Sequence, residues 1–98
     1  MRFEWDDSKN EENRKEHGLS FEVAIEVFDD PFYLSIFDCV VGDEQRYWAV
    51  GLIGSLAVVV VVQTWQEADG EEVVRIVSAR KASARERRLY EENENFEV

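Results

Sequence analysis

Residues 46–65 read RYWAVGLIGSLAVVVVVQTW. Aromatic and β-branched side chains fill both halves of this stretch, and Gly54 with Ser55 separates Ile53 from Leu56 by two residues, the spacing of a tight hairpin with a primed turn. The second half, Leu56 to about Trp65, is apolar without interruption through Val62. Such a strand is central in its sheet and covered on both faces. Upstream, Phe32 to Val40 has the same aromatic and β-branched texture, with a turn over residues 42–45 before the run that begins at Arg46. Downstream, Ala68, Asp69 and Gly70 reverse the chain into Val73 to Ala79. These runs predict an antiparallel meander of three or four long strands.

The flanks read as helical. Phe3 and Trp5 make a short apolar strand, and Asp6 as N-cap and Gly18 as stop then bracket a helix up to His17. Between Asp6 and His17 there is no aliphatic or aromatic residue. This helix is therefore expected to be held by its ends, through Trp5, Leu19 and Phe21. Ser20 caps a second helix whose Phe21, Ala24, Ile25 and Phe28 recur at core spacing, ended by Asp29, Asp30 and Pro31. Ser83 and Glu86 form a capping-box pair that opens a third helix carrying Leu89 and Tyr90 inward. The class is α+β: two N-terminal helices on an antiparallel sheet meander with a C-terminal helix. One domain over residues 1–92 and an acidic tail over residues 93–98 complete the expected organisation.

The 98 residues carry 22 Asp and Glu against 11 Lys and Arg, a net charge of -11. That total excludes wholesale binding along a nucleic-acid backbone, which requires clustered cations. The cations are nonetheless clustered. Arg75, Arg80, Lys81, Arg85, Arg87 and Arg88 are opposed within residues 75–88 only by Glu86, giving +5 there and -16 over the rest. Arg80 to Arg88 spans a strand-to-helix junction, where free N–H groups also favour anions. The plainer reading is that these arginines pair with the abundant carboxylates and solubilise the helix.

Cys39 is the single cysteine, so no intramolecular disulfide and no thiolate metal cluster can form. Its place in a strand suits a small buried apolar residue. His17, just before Gly18, suits a helix C-terminus. The acidic residues show no ligand spacing with His or Cys, and neither a metal nor a cofactor is expected. The start lacks the apolar segment of a secretory signal, and Leu56 to Val62 is far shorter than the ~20 residues of a membrane helix. A cytoplasmic protein with no membrane contact is the expectation.

FEWD at residues 3–6, Asn13 with His17 and Gly18, SFEVA at 20–24, the acidic pair before Pro31, Arg46 with Tyr47, and above all RIVSARKASARERRLYEE at 75–92 resemble the BrnT toxin family. The resemblance covers residues 3–92. It implies a RelE-like fold and a ribonuclease toxin of a type II toxin-antitoxin pair, neutralised by a BrnA-type antitoxin that dimerises and binds operator DNA. DNA would thus be met only through the antitoxin, and RNA would be the substrate.

Cleavage of RNA by its own 2′-hydroxyl needs a proton acceptor, cations for the phosphorane and a donor for the leaving oxygen. By resemblance, Arg80 would meet the phosphate charge, Glu86 would serve as base and Arg46 would assist. Arg85, Arg87 and Lys81 would contact the RNA, and Trp48, on the same strand face as Arg46, would stack a base. Against these roles, Glu86 also reads as a capping-box residue and Trp48 as a packing aromatic. Arg75 alternates away from Arg80 if the strand stays regular, which would keep both from one site. Two positions depart from the family: Glu16 stands where members usually carry a basic residue, and Gln66, two past Thr64, lies where they tend to carry an arginine. These departures support an alternative, an inactive interaction module that only binds its antitoxin. The five acidic residues from Asp6 to Glu16 also suggest a first helix that docks a basic partner.

Overall fold

A computed structural model describes residues 1–54 and 57–96, with side chains described as far as Asn93. The chain runs β1 (Arg2–Glu4), α1 (Asp7–His17), α2 (Phe21–Ala24), a 3-10 turn (Ile25–Asp29), β2 (Leu34–Val41), β3 (Glu44–Ile53), β4 (Ala57–Ala68), β5 (Glu71–Lys81) and α3 (Ala84–Phe96). The strands form one sheet in the order β1-β5-β4-β3-β2. Strands β2 to β5 are the expected antiparallel meander, with β4 central. The sheet as a whole is mixed, not purely antiparallel, because β1 joins β5 in parallel with Phe3 opposite Val74. That partner lies far along the chain and leaves no local hairpin signal. The two-residue turn read at Gly54 and Ser55 falls partly outside the described residues. The last pair before it is Ile53 opposite Ala57.

Asp6 caps α1 as expected, its side chain accepting from the Ser8 and Lys9 N–H groups, and Gly18 ends the helix at φ 69°. The helix is not held by its ends alone. Asn13 is buried, and its carboxamide donates to the Leu19 and Ala79 carbonyls at 2.8 Å each while accepting from the Ala79 N–H at 3.1 Å. A polar residue thus fixes the middle of α1 to β5, which an apolar-stripe reading could not show.

Ser20 caps α2 through the Val23 N–H, but after one turn the helix tightens into the 3-10 segment. At three residues per turn the inward positions become Phe21, Ala24 and Val27, all fully buried, while Ile25 and Phe28 are only partly buried. Those three residues pack with Ala49, Val59, Val61, Val74, Ile76 and Ala79 from one sheet face. Gly51 allows the close approach here: a Cβ on it would lie 2.6 Å from Val27 Cγ2 and 2.9 Å from Tyr33 Cβ. Asp30 secures the same corner. Its carboxylate accepts from the Leu52 N–H at 2.8 Å, the Tyr90 hydroxyl at 2.6 Å and the Phe32 N–H at 2.9 Å. Burial pushes this carboxyl up, and the three hydrogen bonds outweigh it and hold it below the usual carboxylate range.

The other sheet face carries α3. Tyr90 is buried against Val50 and Val60, with Leu34, Trp48, Leu52, Val58 and Ala82 around them. Leu89, expected inward with Tyr90, is 46% exposed. Helix α3 continues to Phe96, so residues 93–96 of the expected tail are helical.

Candidate functional site

Residues directly opposite one another in a sheet share a face, so the strand registers order this second face into rows. Arg46 lies opposite Thr64, which lies opposite Arg75, which lies opposite Glu4; Cys39 extends this first row onto β2. The next row contains Ile36, Trp48, Val62 and Ser78, and the third Leu34, Val50, Val60 and Arg80. Helix α3 seats Tyr90 on the third row. The second row has Ile36 at 39% exposure with Trp48, Val62 and Ser78 half-buried. Arg46, Trp48, Arg75 and Arg80 therefore lie on one face within three successive rows.

Arg75 belongs to this face because β5 is not regular. Its pairing with β4 slips between Val62 and Gln63, where Ser78 pairs with Val62 and Ile76 with Gln63, leaving Val77 as an extra residue. A bulge of one residue reverses the alternation beyond it. The separation expected between Arg75 and Arg80 is thereby undone. Arg75 faces Glu4 at 3.6 Å.

Arg80 is the most constrained of the cations. Its Nη1 and Nη2 donate to the two carboxylate oxygens of Glu86 at 2.7 and 2.8 Å, and its guanidinium carbon stands 5.7 Å from the centroid of the Trp48 ring. Such paired, charge-assisted bonds fix a guanidinium plane as well as its charge. Glu86 is tied in turn to its helix start. Its Oε1 accepts from the Ser83 N–H at 2.8 Å, and Ser83 Oγ accepts from the Glu86 N–H at 3.2 Å, completing the capping box. The Arg80 hydrogen bonds, opposed by burial and assisted by the Ser83 N–H, pull the Glu86 carboxyl down to about 2. One side chain thus both caps α3 and holds the Arg80 guanidinium.

The remaining cations are dispersed. Lys81 is exposed and lies opposite Val59, so its register assigns it to the face away from Arg80. Arg85, Arg87 and Arg88 are exposed on α3 and make no ion pair among the described residues. Thr64 Oγ1 and Arg46 Nε, neighbours across β3 and β4, are buried without a hydrogen-bond partner among the described residues. Sequence reading gave Thr64 no role here, although its place opposite Arg46 follows once the register is known. Gln66 is exposed opposite Val73, on this same face one row beyond Arg75.

Glu16 and His17 line a groove of about 290 Å³ with Lys9, Glu12, Asn13, Val77 and Ser78, between α1 and the β5 bulge. His17 ends α1 as expected, with Nε2 3.9 Å from Glu16. Cys39 is half-buried on β2, not enclosed in the core. No group of three or more His, Cys, Asp or Glu side chains is arranged to hold a metal among the described residues. No helix among them is long and apolar enough to cross a membrane.

Fold and surface define a small α+β protein that presents arginines and a tryptophan on a sheet face which its last helix covers only at one end. Comparison with known families then assigns it. Residues 5–86 match the family described as "Ribonuclease toxin, BrnT, of type II toxin-antitoxin system", and the chain belongs to this family of toxins. Among solved structures it is similar to the 1.1 Å crystal structure of the Brucella abortus ribonuclease toxin, BrnT, with a TM-score of 0.60 and 24% identity, over 85% of this chain and 97% of that one. At that identity the likeness is one of fold. No curated protein matches.

Proposed function

We propose that this toxin is a RelE-like endoribonuclease that cleaves RNA through the 2′-hydroxyl without a metal ion, and that a DNA-binding BrnA-type antitoxin neutralises it. The observation that carries the reading is the convergence of Arg46, Trp48, Arg75 and Arg80 on one partly open sheet face. In this reading Arg80 and Arg46 stabilise the charge that builds on the phosphorane, and Trp48 stacks a base. Arg85 and Arg87 on the exposed side of α3 attract the RNA backbone, with Lys81 adding to the local field from the opposite face. A carboxyl held at about 2 is a weak proton acceptor at neutral pH, so the geometry favours Glu86 as the residue that holds Arg80 in plane.

The test is cleavage of single-stranded RNA by purified protein with and without EDTA. Cleavage unchanged by EDTA and a loss of about a hundredfold or more in Arg80→Ala are expected. A wild-type chain that neither cleaves RNA nor slows growth on expression overturns the nuclease reading. The second reading, an inactive module that only binds its antitoxin, draws on Glu86 already filling the Arg80 fork and on neutral Gln66 extending the arginine face. It predicts partner binding without cleavage.

A further inference from the structure

We propose that the free edge of β2 is the docking edge for an extended, cationic segment of the antitoxin, which adds a sixth strand to the sheet. The inference rests on the toxin-antitoxin reading and names the surface and chemistry of the contact.

Strand β2 ends the sheet, and its outer N–H and C=O groups have no neighbouring strand among the described residues. Proteins usually blunt such an edge with charged side chains, lysine above all, with proline, a bulge, a short strand or a cover, and β2 has only Asp38 and one bulge. Here the strand is eight residues long, LSIFDCVV, with neither lysine nor proline. A single bulge between Phe37 and Cys39 interrupts it. Ile36, Phe37, Val40 and Val41 are 39%, 54%, 60% and 49% exposed, so apolar side chains are displayed from both faces of the same edge. Main-chain pairing supplies affinity at such an edge, and alternate side chains supply selectivity.

Charge selects the occupant. The edge strand and its hairpin, residues 34–45, contain three carboxylates, Asp38, Asp43 and Glu44, and no lysine or arginine. Among the described residues no ion pair reaches residues 18–45. Asp38 lies within the edge strand, and Asp43 and Glu44 lie at its hairpin. A second copy paired edge to edge would bring two such stretches together, each on a chain of net charge -11, and like charges in register oppose pairing. A strand that alternates apolar residues with Lys or Arg satisfies the backbone, the apolar patch and the carboxylates together.

The experiment uses the full chain co-expressed with the antitoxin encoded beside it. The double variant Ile36→Lys with Val40→Lys alters exposed positions and reverses the charge logic. Glu12→Lys with Glu16→Lys alters α1 as a control for docking there. Complex affinity is measured by titration, thermal unfolding confirms that each variant folds, and amide hydrogen exchange follows β2 in the free and bound chain. The expected result is about a hundredfold weaker binding for the β2 variant, little change for the α1 variant, and new protection of β2 amides in the wild-type complex. A complex that tolerates the β2 variant, or β2 amides that exchange equally in both states, overturns this inference alone. A free chain that dimerises and becomes monomeric with the β2 variant overturns it in favour of a second copy. Absence of any wild-type complex overturns the toxin-antitoxin reading and this inference with it.

Discussion

Replacing Glu86 by Gln distinguishes a carboxylate that positions Arg80 from one that accepts a proton. The substituted amide keeps an oxygen for the Ser83 N–H but loses the charge that two Arg80 donors share. The folded carboxyl sits at about 2 against an ordinary 4.5, so its stabilisation is present in full above about pH 4.5 and is lost as the pH falls toward 2. At 1.36 kcal/mol per pKa unit that span sets a ceiling of about 3 kcal/mol. The Arg80 side chain is 36% exposed, and solvent screening brings the expected value to about 1–2 kcal/mol. Urea unfolding of wild type and Glu86→Gln from pH 7 to pH 2.5 measures it: the variant should be less stable by that amount at neutral pH, with the gap closing in acid. Comparing the two proteins cancels the other carboxylates, Asp30 among them. In the cleavage assay a general base would cost about 10² to 10⁴ in rate and remove the acid limb of the pH–rate profile. A positioning residue should cost no more than Arg80→Ala and leave that limb in place. Stability curves that stay parallel across the pH range, or loss of the acid limb, would refute the positioning role.

Two packing predictions follow from the same geometry. Asn13→Ala strands the Ala79 N–H and the Ala79 and Leu19 carbonyls, and should cost about 2–4 kcal/mol, seen as a fall in Tm of more than about 10 °C and early hydrogen exchange in α1. A loss below 1 kcal/mol would mean that α1 is held elsewhere. Gly51→Ala forces a Cβ against Val27 and Tyr33 and should cost about 1–3 kcal/mol in chemical denaturation, while a neutral outcome would show that the 3-10 segment shifts easily.

Local signals carried most of the fold. Asp6, Gly18, Ser20, Ser83 and Glu86 each satisfy helix-end groups from within a few residues, and the meander follows from alternation and turns. The parts that escaped are those set by distant partners. The parallel β1–β5 pair depends on residues some 70 positions apart. Asn13 looks like one more polar residue on a charged helix until Ala79 is placed beside it. Val27 replaced Phe28 in the core because the second helix tightened from a 3.6-residue to a 3-residue repeat after Ala24. For the candidate site, the shared face of Arg46 and Trp48 was legible, but the place of Arg75 was not. One extra residue at Val77 decides that Arg75 shares a face with Arg80. The spacing of Ser83 and Glu86 showed the cap and concealed the guanidinium that fills the rest of the carboxylate.

The acidic edge and the arginine face are adjacent, and this supplies a physical route from binding to neutralisation. Ile36 and Cys39 of β2 lie directly beside Trp48 and Arg46 of β3 on the arginine face. A strand added to β2 would lie about 5 Å from β2 and about 10 Å from β3, so alternate side chains would project over the same face as Arg46 and Trp48. A long side chain, or the chain that continues beyond such a strand, would span that distance and cover the rows that α3 leaves bare, where RNA is proposed to bind. Charges of opposite sign therefore lie on neighbouring parts of the sheet. In the proposed complex the carboxylates of β2 and its hairpin would draw the cationic partner, and the cations on β3, β5 and α3 would form the anion site that the bound partner covers.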